Sequence, residues 1–348
     1  MKRFTMLLLL LCVANIADAQ VLTWKRDGVK VTDFFSTANT PEANATRIRE
    51  VVTLIGADLD KRDTLVCRGV ADFGKQYVLT MPNCYYVGEG AEWLHHMTID
   101  AEPTKPYSTP GFVLGTFQHF KNMKFGGDCW NVEEDGGLLG WGVPLDNTDP
   151  KWVGVSGPGD VTFESCVIDA SKGMDWAIYS WSSQYKRTIT LTNCVLKYCR
   201  FGVSFAGSGD AANQITVVSG CQCYGDANGS HSYGETSNNN PETGGALSAV
   251  LMRGGYATIQ NSRFEAIGLT AEYSAPKWGC PRLASICTNQ YYSAPGSTFF
   301  ILDNCTSKIT PNIAYVWNDI DIRGTAATTT ITNKLGSNPD GSLKIYTP

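Results

Sequence analysis

Two arginines and a scatter of tryptophans are the residues best suited to chemistry in this chain. Arg253 precedes Gly254 and Gly255, and paired glycines let another chain approach the backbone closely. Arg200 follows Cys199 at the end of an apolar run. Both are permanent cations that could hold an anionic substrate. Trp141, Trp152, Trp176 and Trp181 fall in or beside glycine-rich stretches. Their rings could lie on sugar faces while their N–H groups find acceptors. Asp149, in the turn sequence DNTDP, and Asp175, in MDWAIY, supply carboxylates. His95, His96, His119 and His231 are the remaining acid/base prospects. No glycine-rich phosphate loop, Ser-His-Asp order or nucleic-acid motif is present.

The elements that must carry these residues are read from a repeat. An apolar strand, an Asn or Ser, a Cys or other small residue and a second apolar strand recur along the chain. The Asn/Ser position falls at Asn83, Asn122, Ser165, Asn193, Ser219, Asn261, Asn304 and Asn333, at spacings of 26 to 43 residues. The shorter spacings fit one coil of a parallel β-helix and the longer ones a coil with an extra loop. Asn tolerates the left-handed conformation that a tight corner needs. The fold expected is an all-β, right-handed parallel β-helix, a single solenoid spanning residues 20–348. Thr40, Pro41 and Glu42 form a helix start, and Ile48, Val51, Val52 and Ile55 follow at helical spacing. They predict a capping helix over residues 41–55 across the first coil. Residues 335–348 read as a possible loose tail. The stretches 133–152 and 225–245 read as loops walling a groove.

Lys2 and Arg3, the apolar run 6–13 and Ala17-Asp18-Ala19 form a secretory signal, expected to cover residues 1–19. The protein is therefore expected to be secreted or periplasmic, a monomer without a membrane span. Removing the signal takes away two positive charges and one negative, moving the formal charge from −5 to −6. An acidic protein draws no general attraction to nucleic acid, so any polyanion must meet a local basic cleft or bound cations. Cys12 leaves with the signal, and the odd number left from twelve cysteines argues against a complete disulfide framework. Their recurrence at equivalent places favours stacked buried thiols.

Four segments, FKNMKFGG at 120–127, DPKWVGVSGPGDVTFESC at 149–166, ITLTNC with VSFAGSGD at 189–210, and LMRGGYATIQNSRFEAIG at 251–268, resemble the pectate lyases of polysaccharide lyase family 1. The resemblance implies calcium-assisted β-elimination on an acidic, uronic-acid polysaccharide such as pectate. It places calcium ligands at Asp149 and Asp175, a substrate-holding cation at or near Arg200, and the second arginine of the family's arginine-rich strand at Arg253. On this reading Arg253 and Arg200 are catalytic, and Trp152, Trp176 and Trp181 bind substrate. The chain departs from the pattern at three positions. Lys151 and Tyr179 stand where further calcium carboxylates belong, and Ser248 stands where the proton-abstracting arginine belongs. The alternative reading is a non-catalytic glycan-binding or surface-attachment β-helix with a degenerate lyase site.

Overall fold

The computed structural model describes residues 19–26, 29–36, 40–46, 63–74, 78–80, 84–97, 110–129, 137–141, 159–174, 176–181, 186–206, 214–229, 246–252, 255–268, 282–288, 298–310, 317–322, 327–332, 336 and 338–346. Among these the chain is all-β, with strands stacked in parallel into two sheets, the arrangement of a β-solenoid.

Sheet A bends at a corner. One half runs into the corner, as in Gly159–Glu164, Arg187–Thr192, Gln214–Ser219 and Gly255–Gln260. The other runs out, as in Val167–Ala170, Val195–Tyr198, Gln222–Asp226 and Arg263–Ile267. Sheet B completes each coil with Gly137–Trp141, Trp176–Trp181, Phe201–Ala206, Ala246–Met252, Arg282–Thr288 and Trp317–Ile322. The register runs straight through. Glu164, Thr192, Ser219, Gln260 and Asp303 are successive partners in sheet A.

The corner explains why Asn recurs. Asn122, Ser165, Asn193, Asn261 and Asn304 all have φ between 50° and 55°, the left-handed region that Asn tolerates best among side-chain-bearing residues. The fourth corner is Gly220, φ 65°, and not Ser219 as the spacing suggested. Ser219 is still in the strand, paired with Thr192 and Gln260, and the residue without a Cβ takes the strained conformation. Asn83 and Asn333 lie outside the described residues.

One residue past each corner the chain turns inward. Met123, Cys166, Cys194, Cys221, Ser262 and Cys305 are all buried there. The four thiols donate to carbonyls of the coil before: Cys166 to Phe120 at 3.3 Å, Cys194 to Phe163 at 3.3 Å, Cys221 to Leu191 at 3.5 Å and Cys305 to Ile259 at 3.6 Å. The eight cysteines whose side chains are described are free and buried, as the stacked-thiol reading expected. Its hydrogen bond with Cys166, with burial adding, pushes the Cys194 thiol up to about 12, and burial pushes Cys223 well above the ordinary thiol value. Thiolate is the reactive form, so Cys194 and Cys223 are inert in the folded chain. Titration with an aromatic disulfide reagent should find no fast-reacting thiol among them until denaturant unfolds the protein. Rapid labelling of Cys194 or Cys223 under native conditions would contradict the packing.

Aromatic rings fill the early coils. Tyr86, Phe120 and Phe163 stack face to face in three successive coils, with centroids 4.6 Å and 5.1 Å apart. Phe125 meets Trp93, Phe120 and Phe163 edge-on.

A solenoid exposes the edges of its first and last coils. At the start, Ala19–Arg26 pairs antiparallel with Val29–Ser36 and with Asp63–Asp72, covering the edge of sheet A. This hairpin was not anticipated from the sequence. Residues 41–46 are helical. Thr40 Oγ1 accepts from Ala43 N at 3.3 Å, Asn44 Nδ2 donates to Asp72 O at 2.9 Å, and Ala45 is buried in the core. The rest of the helix expected to reach residue 55 lies outside the described residues. At the far end, the segment expected as a loose tail contains Ile345–Tyr346, paired in parallel with Trp317–Ile322. Asp319 is fully buried and accepts from Lys344 N at 2.8 Å and from Ser307 Oγ at 2.5 Å. No helix among the described residues is long and apolar enough to cross a membrane.

Candidate functional site

Sheet B brings together residues that the sequence left far apart. Trp176 pairs in register with Phe201, and Phe201 with Ser248. On the next coil position Tyr179 pairs with Ser204. Trp176 and Tyr179 are buried, 5 % and 4 % exposed, and their rings meet 4.6 Å apart and tilted by 38°. Neither belongs to the main apolar core, whose sheet B members on these strands include Ala177, Ile178, Val203, Leu247, Ala249 and Val250. Trp176 and Tyr179 therefore form a separate aromatic shelf on this sheet.

Arg200 stands at the entry to the Phe201 strand. Its guanidinium carbon is 5.0 Å from the centre of the Phe201 ring, and the side chain is 9 % exposed. A guanidinium over a ring face keeps its N–H groups in its own plane, the geometry that grips a carboxylate edge-on. Trp176 Nε1–H is buried and has no hydrogen-bond partner among the described residues. A buried donor without an acceptor costs on the order of 1–3 kcal/mol, so it marks a place where an acceptor oxygen would be favoured. Phe201 thus links the two: it is the register partner of Trp176 and carries the Arg200 guanidinium over its ring.

Ser248 is fully buried. Its hydroxyl donates to Val250 O at 2.8 Å and its N–H to Arg200 O at 2.8 Å. It belongs to the strand's own hydrogen bonding and has no base to offer. Tyr179, at a position where the resemblance expects a calcium carboxylate, packs its ring on Trp176 instead. No group of three or more His, Cys, Asp or Glu side chains arranged to hold a metal occurs among the described residues. Trp181 ends its strand in register with Ala206. Asp149, Trp152, Asp175 and Arg253 lie outside the described residues, as do Lys151 and Trp141's side chain.

The histidines serve other ends. His95 is fully buried, its ring edge-on to Phe112. His96 Nδ1 sits 2.9 Å from Asp128, and its Nε2 3.7 Å from Asp72. His119 Nε2 and Lys121 Nζ reach Glu164 of the next coil at 3.1 Å and 2.6 Å. The Lys121 bond, with help from His119, holds the Glu164 carboxyl below its ordinary value. These pairs tie coils together on sheet A. Asp169 and Lys197 do the same at 3.1 Å. Burial raises the Asp169 carboxyl, but the bonds from Ser171 and Lys197 outweigh it and leave it lowered. His231 lies outside the described residues.

Phe201 was not singled out by sequence reasoning, and Tyr179 only as a departure from the calcium pattern of the resemblance. The signal that finds them is the register: once the corners are stacked, Phe201 falls beside Trp176 and Tyr179 one strand-turn further along. Comparison with known protein families, with characterised proteins and with solved structures gives no match, so the shelf on sheet B stands on its own geometry.

Proposed function

We propose that this protein is an exported right-handed parallel β-helix that binds an acidic, uronic-acid polysaccharide along sheet B. The observation that supports this most is the pairing in register of Phe201, which carries the Arg200 guanidinium on its ring, with Trp176, whose buried N–H has no partner among the described residues. A cation, an N–H donor and aromatic faces in one row suit a sugar that carries a carboxylate. The Trp176–Tyr179 pair supplies the ring surface.

Binding is favoured over cleavage because Ser248 occupies the expected base position and is used up within its strand. β-Elimination is the second reading, carried by Arg253 and its resemblance to the arginine-rich coil of pectate lyases. Calcium in that reading would rest on Asp149 and Asp175, and Tyr179 contributes no carboxylate to it.

The experiment is a titration of the purified chain with polygalacturonate and with a neutral polymer of the same length, with and without calcium. Unsaturated-uronate absorbance is followed in parallel. The acidic polymer is expected to bind, the neutral one at least about tenfold more weakly, with no unsaturated product. Arg200→Gln should weaken binding about 10- to 100-fold, the worth of a hydrogen bond to a charged group. Equal affinity for both polymers, or no effect of Arg200→Gln in a normally folded protein, overturns the binding site. Appearance of unsaturated product that Arg253→Gln abolishes replaces binding by cleavage.

A further inference from the structure

The corner ladder has a gap. Asn304 Nδ2 donates to Asn261 Oδ1 at 2.7 Å, joining one coil to the next through side-chain amides. One coil back the corner residue is Gly220, which has no amide to continue the chain. The gap opens as a notch of 310 Å³ lined by Gly220, Gln222, Asn261, Arg263, Asn304 and Thr306, with Cys221 and Ser262 at its floor. Its size is at the low end of small-ligand sites, about 300–1,000 Å³.

The hydrogen bonds already made in and around the notch fix what it has left to offer. Asn261 has given its Oδ1 to Asn304, so its amide N–H₂ is the group with no partner among the described residues. Gln222 has given its Oε1 to the Tyr224 hydroxyl at 2.7 Å, which again leaves the amide N–H₂. Ser262 is satisfied, donating to Gln260 O at 2.8 Å and accepting from Cys221 N at 3.1 Å. Thr306 adds a hydroxyl. Arg263, 60 % exposed, adds a guanidinium whose one ion pair among the described residues is with Glu265 of its own strand. The opening therefore presents mostly donors, two amides, a hydroxyl and a cation, beside one amide oxygen from Asn304. Successive coils sit about 4.8 Å apart, so a single planar anion can reach donors on two of them.

We infer that the Gly220 notch binds a carboxylate carried by an acidic sugar. The site lies at the corner of sheet A and shares no residue with the shelf on sheet B. That the carboxylate belongs to a sugar rests on the proposed function; the notch itself does not. Two such sites on one coil stack would let one protein hold two chains of the polymer.

The test is an amide-resolved NMR titration with galacturonate, its methyl ester and inorganic phosphate, on the full protein and three variants. Galacturonate is expected to shift the backbone signals of Gly220, Gln222 and Asn261, with the uncharged ester at least about tenfold weaker, as loss of a charge-assisted bond implies. Gly220→Asn should abolish the shifts. Asn accepts φ 65°, and its side chain displaces only the Asn193 Oδ1 tip, 2.3 Å from the new Cβ, so the variant completes the ladder without unfolding the coil. Arg263→Gln should weaken binding about tenfold with the fold unchanged. Arg200→Gln should leave these shifts untouched, which separates this site from the one on sheet B. Absence of shifts at the three amides, ester binding equal to galacturonate, phosphate binding tighter than galacturonate, or full binding by Gly220→Asn each overturns the assignment.

Discussion

Replacing Phe120 by alanine should lower the unfolding free energy by about 3–5 kcal/mol, measured by urea denaturation of the pure protein. Phe120 is fully buried between Tyr86 and Phe163, in the middle of a stack that joins three coils. It also meets Phe125 edge-on at 5.5 Å. Removing the ring takes away partners above, below and beside it, and the parallel backbone on either side cannot close the space. A solenoid depends on each coil's contact with its neighbours, so the loss falls on the interfaces of both adjoining coils. A change below about 1 kcal/mol, the size typical of an average substitution, would mean that the ring is not part of a continuous core.

The second large effect is expected at the other end of the chain. Asp319→Ala removes the acceptor that Lys344 N and Ser307 Oγ use inside the last coil. A buried donor that loses its acceptor costs about 1–3 kcal/mol, so the variant should lose roughly 2–4 kcal/mol. The backbone bond from Asp319 N to Lys344 O, 2.7 Å, is not touched directly, but it holds the same segment. Limited proteolysis should therefore release the segment after residue 335 faster in Asp319→Ala than in the parent chain. Asp319→Asn keeps one oxygen acceptor and should show a smaller loss. Equal proteolysis rates in all three proteins would show that Asp319 does not fasten the final strand.

Much of the fold was legible because a corner makes a demand that few residues meet. A left-handed φ selects Asn or Gly, and a coil of fixed circumference repeats the demand, so Asn193, Asn261 and Asn304 announce the stack. The same rule explains the slip at Ser219. The sequence VVSGCQ offers two candidates, and only the pairing of Ser219 with Thr192 and Gln260 decides for Gly220. The thiol run was readable for the same reason: Cys166, Cys194 and Cys221 follow their corners by one place and must point inward. The hairpin Ala19–Arg26 and Val29–Ser36 gave no such mark. It is antiparallel and carries no corner.

The candidate site was harder. Trp176 and Arg200 could be named from residue type, but the link between them is Phe201, an ordinary apolar residue until register sets it beside Trp176. Ser248 and Tyr179 were marked only as departures from the resembled family's pattern. Burial and the bond to Val250 settle the first as a strand residue, and ring packing settles the second as part of the shelf.

The account depends on coils stacked in register, and paired cysteines test that most directly. Thr190 and Val217 are register partners on the outward side of neighbouring strands, a Cα separation that a disulfide can span. Thr190 and Thr258 are two coils apart, beyond that reach. The double variant Thr190→Cys/Val217→Cys should oxidise in air to an intramolecular disulfide seen by peptide mass spectrometry, while Thr190→Cys/Thr258→Cys should not. Cross-linking of the second pair but not the first would contradict the stack, and with it the alignment of Arg200, Phe201 and Trp176.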